Sequence, residues 1–151
     1  MSTSTAADTR SANIGAVEEI YAAFGRSDIP AVLERLSDDV RWDQWADSFG
    51  QRAGVAHLQP RTGRDGAAEF FGLVAGWEIA HFSVLGLMAG DDQVAAEVVI
   101  EAKLPNGGRL RDEELHVWSF GPDGRVSSLR HWIDTAKHIA AARGEDTVAS
   151  A

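Results

Sequence analysis

Apolar residues at Ile14, Val17, Ile20, Tyr21 and Phe24 recur every three or four positions, the spacing of one helical face. They predict a helix from Ser11 to Phe24, stopped at Gly25. Asp28 as N-cap with Pro30 in the first turn opens a short second helix, with Val32, Leu33 and Leu36 turned inward. A short strand is predicted from Val40 to Trp45, and Ala46 to Arg61, which has no period, as a loop. Thr62-Gly-Arg-Asp65 matches a capping box with Asp in place of Glu and starts a third helix through Phe70, Phe71 and Val74.

Beyond Gly76 the period changes to that of strands. Trp77 to Met88 ends at Gly90-Asp-Asp92, and Val94 to Leu104 ends at Pro105-Asn-Gly-Gly108, a hairpin signal. Leu110 to Phe120 and Arg125 to Ile133 follow, joined by Gly121-Pro-Asp-Gly124, and Ala136 to Arg143 predicts a last short helix. Helices followed by an antiparallel meander give an α+β fold with helices on one face of a curved sheet. The expected limits are a disordered tail over 1–10, one domain over 11–143 and a disordered tail over 144–151.

Composition narrows the partners. A chain of 151 residues, 44% hydrophobic and 25% charged, suits one globular domain with a real core. Its net charge of -9 argues against nucleic acid or an anionic membrane surface. No cysteine is present, which removes disulfides, thiolate catalysis and cysteine-ligated metals. The N-terminus has no apolar signal core and no run reaches membrane-spanning length, so a cytoplasmic setting is expected.

The chemistry concentrates in the last two strands, which carry Glu114, His116, Trp118, His131, Trp132 and Asp134. Titratable groups interleaved with large aromatics are what a small-molecule pocket needs: apolar walls and a few polar groups to orient or protonate a ligand. His116 and His131 are candidate general acid/base residues, and would form a pair if the turn brings them to one face; a slip of one residue would separate them. Asp134 either orients a histidine in the pocket or caps the last helix, and the cap is favoured. Five tryptophans require a large core or a cavity wall. The histidines show no tight ligand spacing, so neither a metal site nor a cofactor is expected.

The order of elements, with Tyr21-Ala-Ala-Phe24, Asp28-Ile-Pro30, Leu36-Ser-Asp-Asp-Val40, Gly63-Arg-Asp-Gly66 and Gly124-Arg-Val126, resembles the nuclear-transport-factor-2-like superfamily. Within it the chain is most similar to the SnoaL-like group, relatives of ketosteroid isomerases, polyketide cyclases and limonene epoxide hydrolases. The resemblance spans Asn13 to Lys137. It implies a cone-shaped curved antiparallel sheet with three N-terminal helices over its concave face, a deep hydrophobic pocket and a homodimer. It does not imply one chemistry.

Carried over residue by residue, the relatives' machinery is replaced. The isomerases' general base falls on Gln44, with Asp43 beside it on the opposite side of the pleat. Their second acid falls on His116, and their catalytic tyrosine near Ile20, adjacent to Tyr21. The epoxide hydrolases' three positions fall on Glu97, Val99 and His131, and the cyclases' last-strand acid again on His131. Trp42 and Trp118 stand where the relatives turn inward. Glu97 is placed in the pocket by the resemblance and in solvent by its own strand period.

These features predict a protein that binds a hydrophobic small molecule and, as an enzyme, isomerises, cyclises or hydrates it without a cofactor. His116, His131 and Asp134 are its candidate catalytic residues, and Tyr21, Trp42, Gln44, Glu97, Glu114 and Trp118 its ligand contacts. The rival expectation is a non-catalytic binding, dimerisation or protein-interaction module of the same fold.

Overall fold

The computed structural model describes residues 5–148. Helix α1 spans Ala6–Gly25 and starts before the predicted Ser11, because Thr5 and Asp8 form a reciprocal capping box. The region assigned to a disordered tail thus holds a capped helical turn from Ala6 onward, while residues 1–4 lie outside the described residues. Helix α2 (Ile29–Glu34) has Asp28 as its cap and Pro30 in the first turn. Strand β1 is Leu36–Trp42, earlier than the predicted Val40 to Trp45, and it ends where Asp43 takes a positive φ of 55°.

The stretch expected to be loop contains helix α3 (Phe49–Arg52) and a single 3-10 turn at Ala56–Leu58, then the two-residue strand β2 (Arg61–Thr62). Helix α4 covers Gly63–Val74 with Thr62 at its N-cap, but the Thr62 side chain makes no capping bond. The capping-box expectation therefore fails. Arg64 in the first turn instead donates twice to the Leu36 carbonyl oxygen, at 3.0 and 2.8 Å, and pins α4 to β1.

Four long strands complete the sheet: β3 (Glu78–Ala89), β4 (Gln93–Lys103), β5 (Arg109–Phe120) and β6 (Val126–Trp132), each near its predicted place. The order is β2-β1-β6-β5-β4-β3, a curved, unclosed sheet with helices on one side. β1 pairs with β6 in parallel and the remaining neighbours are antiparallel. In the β5–β6 register His116 faces His131, so the two imidazoles share a face.

The main core joins Val17, Ile20 and Ala23 of α1 to Val40 and Trp42 of β1, Phe71 of α4, Trp118 of β5 and Leu129 of β6. Burying such large side chains is worth about 1.5–3 kcal/mol each, which is what holds the helices over the concave face. A smaller cluster of Ile100, Ala102, Leu104 and Leu110 receives Ala141 of helix α5 (Thr135–Ala142). Gly108 in the β4–β5 turn lies so close to the Ala141 carbonyl that any Cβ would collide with it, and Asn106 donates to the Ala142 carbonyl oxygen at 2.9 Å. These contacts dock α5, and with it His138, against the β4–β5 hairpin.

Candidate active site

Strand period two sets the site on β5. Asp112, Glu114, His116 and Trp118 are alternate residues, so all four point inward. Tyr21, one helical turn inside the end of α1, reaches down to them. The Trp118 indole Nε1–H donates to Tyr21 Oη at 3.1 Å, and the Tyr21 hydroxyl lies 2.7 Å from His116 Nδ1. His116 Nε2 lies 3.0 Å from Glu114 Oε1. The polarity is self-consistent: Tyr21 donates to Nδ1, and the His116 proton sits on Nε2 and is given to Glu114.

Glu114 is shared. Its Oε2 is 2.9 Å from His138 Nε2, which is also 2.9 Å from Asp112 Oδ2. Asp112 Oδ2 in turn accepts from the Asp134 backbone N–H at 3.1 Å. His138 Nδ1 faces His57 Nε2 at 2.8 Å. Burial opposes charge on His138, but its hydrogen bonds to Asp112 and Glu114 prevail and raise it from 6.5 to about 9. His57 goes the other way, to about 3, through burial and the neighbouring His138 cation. Charged His138 therefore donates from Nδ1 to neutral His57. Burial would raise Glu114, but the bonds from His116 and His138 hold it well below the ordinary carboxylate range.

On the other side stands a dyad. Asp43 is 1% exposed, and its carboxylate accepts from the His131 backbone N–H at 2.9 Å and contacts His131 Nδ1 at 2.8 Å. Strand alternation would set Asp43 opposite Trp42; its φ of 55° turns both inward. A non-glycine residue in that conformation is strained, and such strain collects at functional positions. Burial again opposes a charge on His131, and attraction and hydrogen bonding from Asp43 outweigh it, raising His131 above 6.5. His116 is lowered, because burial and the charge of His131 outweigh its bond to Glu114. The two rings meet edge to face at 4.7 Å. Nδ1 of His131 is held by Asp43, and its Nε2 has no hydrogen-bond partner among the described residues.

Tyr21, His57, Glu114, His116, His131 and His138, but not Asp43 or Asp112, line a cavity of about 70 Å³ walled by Ile20, Phe24, Trp42, Phe70, Phe71 and Phe82. That is roughly half the ~150 Å³ cavity known to admit benzene, so the space is tighter than the deep pocket the resemblance implies. Leu58, His131 and Ile133 also border an outer cleft of about 250 Å³ that contains Asp43, Ser48 and Phe49. His131 thus stands between the inner cavity and the outer cleft.

Of the expected site residues, the structure gathers Tyr21, Trp42, Glu114, His116, Trp118 and His131. Gln44 is not among them: it is exposed and donates to the Arg61 carbonyl oxygen, because the turn at Asp43 carries it outward. Glu97 is also exposed on β4, as its strand period requires and the family position does not. Asp134 caps α5 by accepting from the Lys137 N–H at 3.2 Å and does not line the cavity. Asp43, His57, Asp112 and His138 were missed as site residues. Asp112 was legible as the next inward position before Glu114; the other three depend on a backbone outlier and on tertiary docking. Asp112, Glu114 and His138 are also the one group among the described residues whose donor atoms could surround a cation, all within 4.8 Å.

The profile of the SnoaL-like domain matches residues 17–129, and the chain belongs to that family. No curated protein matches the chain. Among solved structures it is similar to an NTF2-like protein of unknown function from Burkholderia pseudomallei K96243, with 27% identity, a TM-score of 0.70, and 87% of this chain and 97% of that one covered. A limonene-epoxide-hydrolase-like epoxide hydrolase from Mycobacterium tuberculosis shares the fold at 19% identity and a TM-score of 0.66, covering 89% and 92%. A computationally designed 17-OHP binder shares it at 14% identity and a TM-score of 0.62, covering 80% and 92%.

The buried histidines make stability depend on pH in both directions. His138, raised to about 9, contributes fully below 6.5 and loses that contribution as pH rises through 9. His57, lowered to about 3, contributes fully above 6.5 and loses it as pH falls. Denaturant unfolding should therefore show greatest stability near neutral pH, with an alkaline loss on the order of 3 kcal/mol. H138Q should flatten the alkaline limb; an unchanged limb would mean that His138 is not charged in the folded protein.

Proposed function

We propose that this SnoaL-like protein is a cofactor-independent acid/base enzyme acting on a small apolar molecule, with His131 as the proton donor. The observation that carries the reading is the Asp43–His131 dyad: one ring nitrogen is clamped by a buried carboxylate and the other is left unpaired beside an apolar cavity. Asp43 favours the imidazolium, which can deliver a proton to a ligand oxygen and recover it at a later step. His116 is kept neutral, so the pair is split into unlike states, the arrangement that separates acid from base roles. Isomerisation, cyclisation and hydration or hydrolysis all need such a group. Glu114 and Tyr21 act by holding His116, and Asp134 by capping α5 and supporting Asp112; none of the three delivers the proton.

The fold also hosts non-catalytic binders, and the dyad is what favours catalysis here. The test begins with a thermal-shift screen of small apolar compounds. Turnover of a hit should fall by about 10²- to 10⁴-fold in H131N, with the fold intact by circular dichroism. Because the charged form is required, wild-type turnover should be flat at low pH and decline through a value above 6.5. D43N should move that decline to lower pH. Full turnover in H131N would leave only the binding module.

We also infer a homodimer formed through the convex face of the sheet. Leu85 is 61% exposed and Trp132 46% exposed, and both border one shallow depression with Leu115 and Glu97. An uncovered cluster of this kind marks an interaction surface. Light scattering should give the dimer mass for the wild type and the monomer mass for L85E; a monomeric wild type would refute it.

A further inference from the structure

The cavity wall contains a donor that the protein leaves unspent. Trp42 is fully buried at the end of β1, and its indole Nε1–H has no acceptor among the described residues. Phe70, Phe71, Trp118 and His131 surround the ring, with centroids 5.4, 5.6, 6.0 and 6.1 Å away. None supplies a conventional acceptor. Trp118 is itself a donor, to Tyr21, and His131 Nδ1 faces Asp43. The phenyl faces offer only the weak N–H···π contact.

An isolated buried donor is uncommon, since burial removes its water and nothing replaces it. Phe at this position would fill the wall without that cost. The contrast with Trp118, which does spend its N–H inside the protein, sharpens the point. Of the three buried polar side-chain atoms without a hydrogen-bond partner among the described residues, Ser37 Oγ, Arg61 Nε and Trp42 Nε1, only Trp42 belongs to a residue lining this cavity, and its ring adjoins that of His131 in the same wall. No Lys or Arg lines the cavity, and its two cationic imidazoles, His131 and His138, are already paired with Asp43 and with Asp112 and Glu114, which disfavours an anionic ligand.

We propose that the Trp42 indole N–H orients the ligand: with His131 Nε2 it selects a small, neutral, otherwise apolar molecule bearing one acceptor oxygen, such as a carbonyl or cyclic ether. The donor's partner arrives with the ligand. The proposal rests on the cavity being the ligand site, as in the reading above, and not on turnover there. The cavity of about 70 Å³ is roughly half the ~150 Å³ that admits benzene, so suitable probes are smaller than a ring: acetone against its hydrocarbon isostere isobutene.

The full-length chain labelled with ¹⁵N has five tryptophans and hence five indole signals, and W42F identifies the relevant one by deleting it. Acetone should shift the Trp42 N–H downfield and bind on the order of tenfold tighter than isobutene. In W42F that preference should shrink below about twofold while isobutene still binds. If W42F does not fold, the wild-type titration decides, with Trp42 assigned by its cross-relaxation to the His131 ring. Equal affinities, a ketone shift confined to other indoles, a preference kept in W42F, or no saturable binding of either probe would each overturn the proposal. H131N separates the two ideas: if turnover persists in that variant, His131 is not the acid, and the Trp42 shift stands or falls by its own result.

Discussion

A buried carboxylate shared by two imidazoles organises the site. The Glu114 side chain is 8% exposed, and an isolated charge at such a depth would cost several kcal/mol. It is tolerated because His116 and His138 each donate to one of its oxygens, and His138 brings a compensating positive charge. The consequences spread outward in both directions. Towards α1, the bond to Glu114 fixes the His116 proton on Nε2, which leaves Nδ1 to accept from Tyr21, which accepts from Trp118. Towards α5, burial and the charge on His138 together keep His57 neutral. Remove the carboxylate and every proton in the chain loses its reason for being where it is.

The dyad on β1 and β6 complements this network. His116 and His131 sit opposite each other across two strands, yet burial and the charge of His131 lower His116 in spite of Glu114, while Asp43 raises His131 in spite of burial. His131 is bonded to a carboxylate through Nδ1 alone, whereas both nitrogens of His116 are occupied. Two similar residues on one wall thus have different chemistry available to them. In this chain the carboxylates stand behind the rings, Asp43 on His131 and Glu114 on His116.

Much of this was legible in the sequence, and the limits have physical causes. The four long strands and the β5–β6 turn followed from alternation and from Gly121-Pro-Asp-Gly124; the register that sets His116 opposite His131 did not, because an irregularity between Ser119 and Phe120 shifts it. The inward set on β5 was readable from period two. Asp43 was not, because a single residue at φ 55° breaks the alternation that a strand pattern assumes; the same turn sent Gln44 outward. His57 lies on a stretch without periodicity, and His138 reaches the site only because Gly108 lets α5 approach the hairpin. Glu97 shows the reverse case, where local period was a better guide than family position.

The central claim is that the pocket holds its histidines in opposite protonation states, and ¹⁵N chemical shifts of the ring nitrogens between pH 5 and 9 test it most directly. The expected spectrum has His116 neutral with its proton on Nε2 and His57 neutral throughout, while His131 and His138 keep their charge above the ordinary value of 6.5. A cationic His116 beside a neutral His131 would contradict the account.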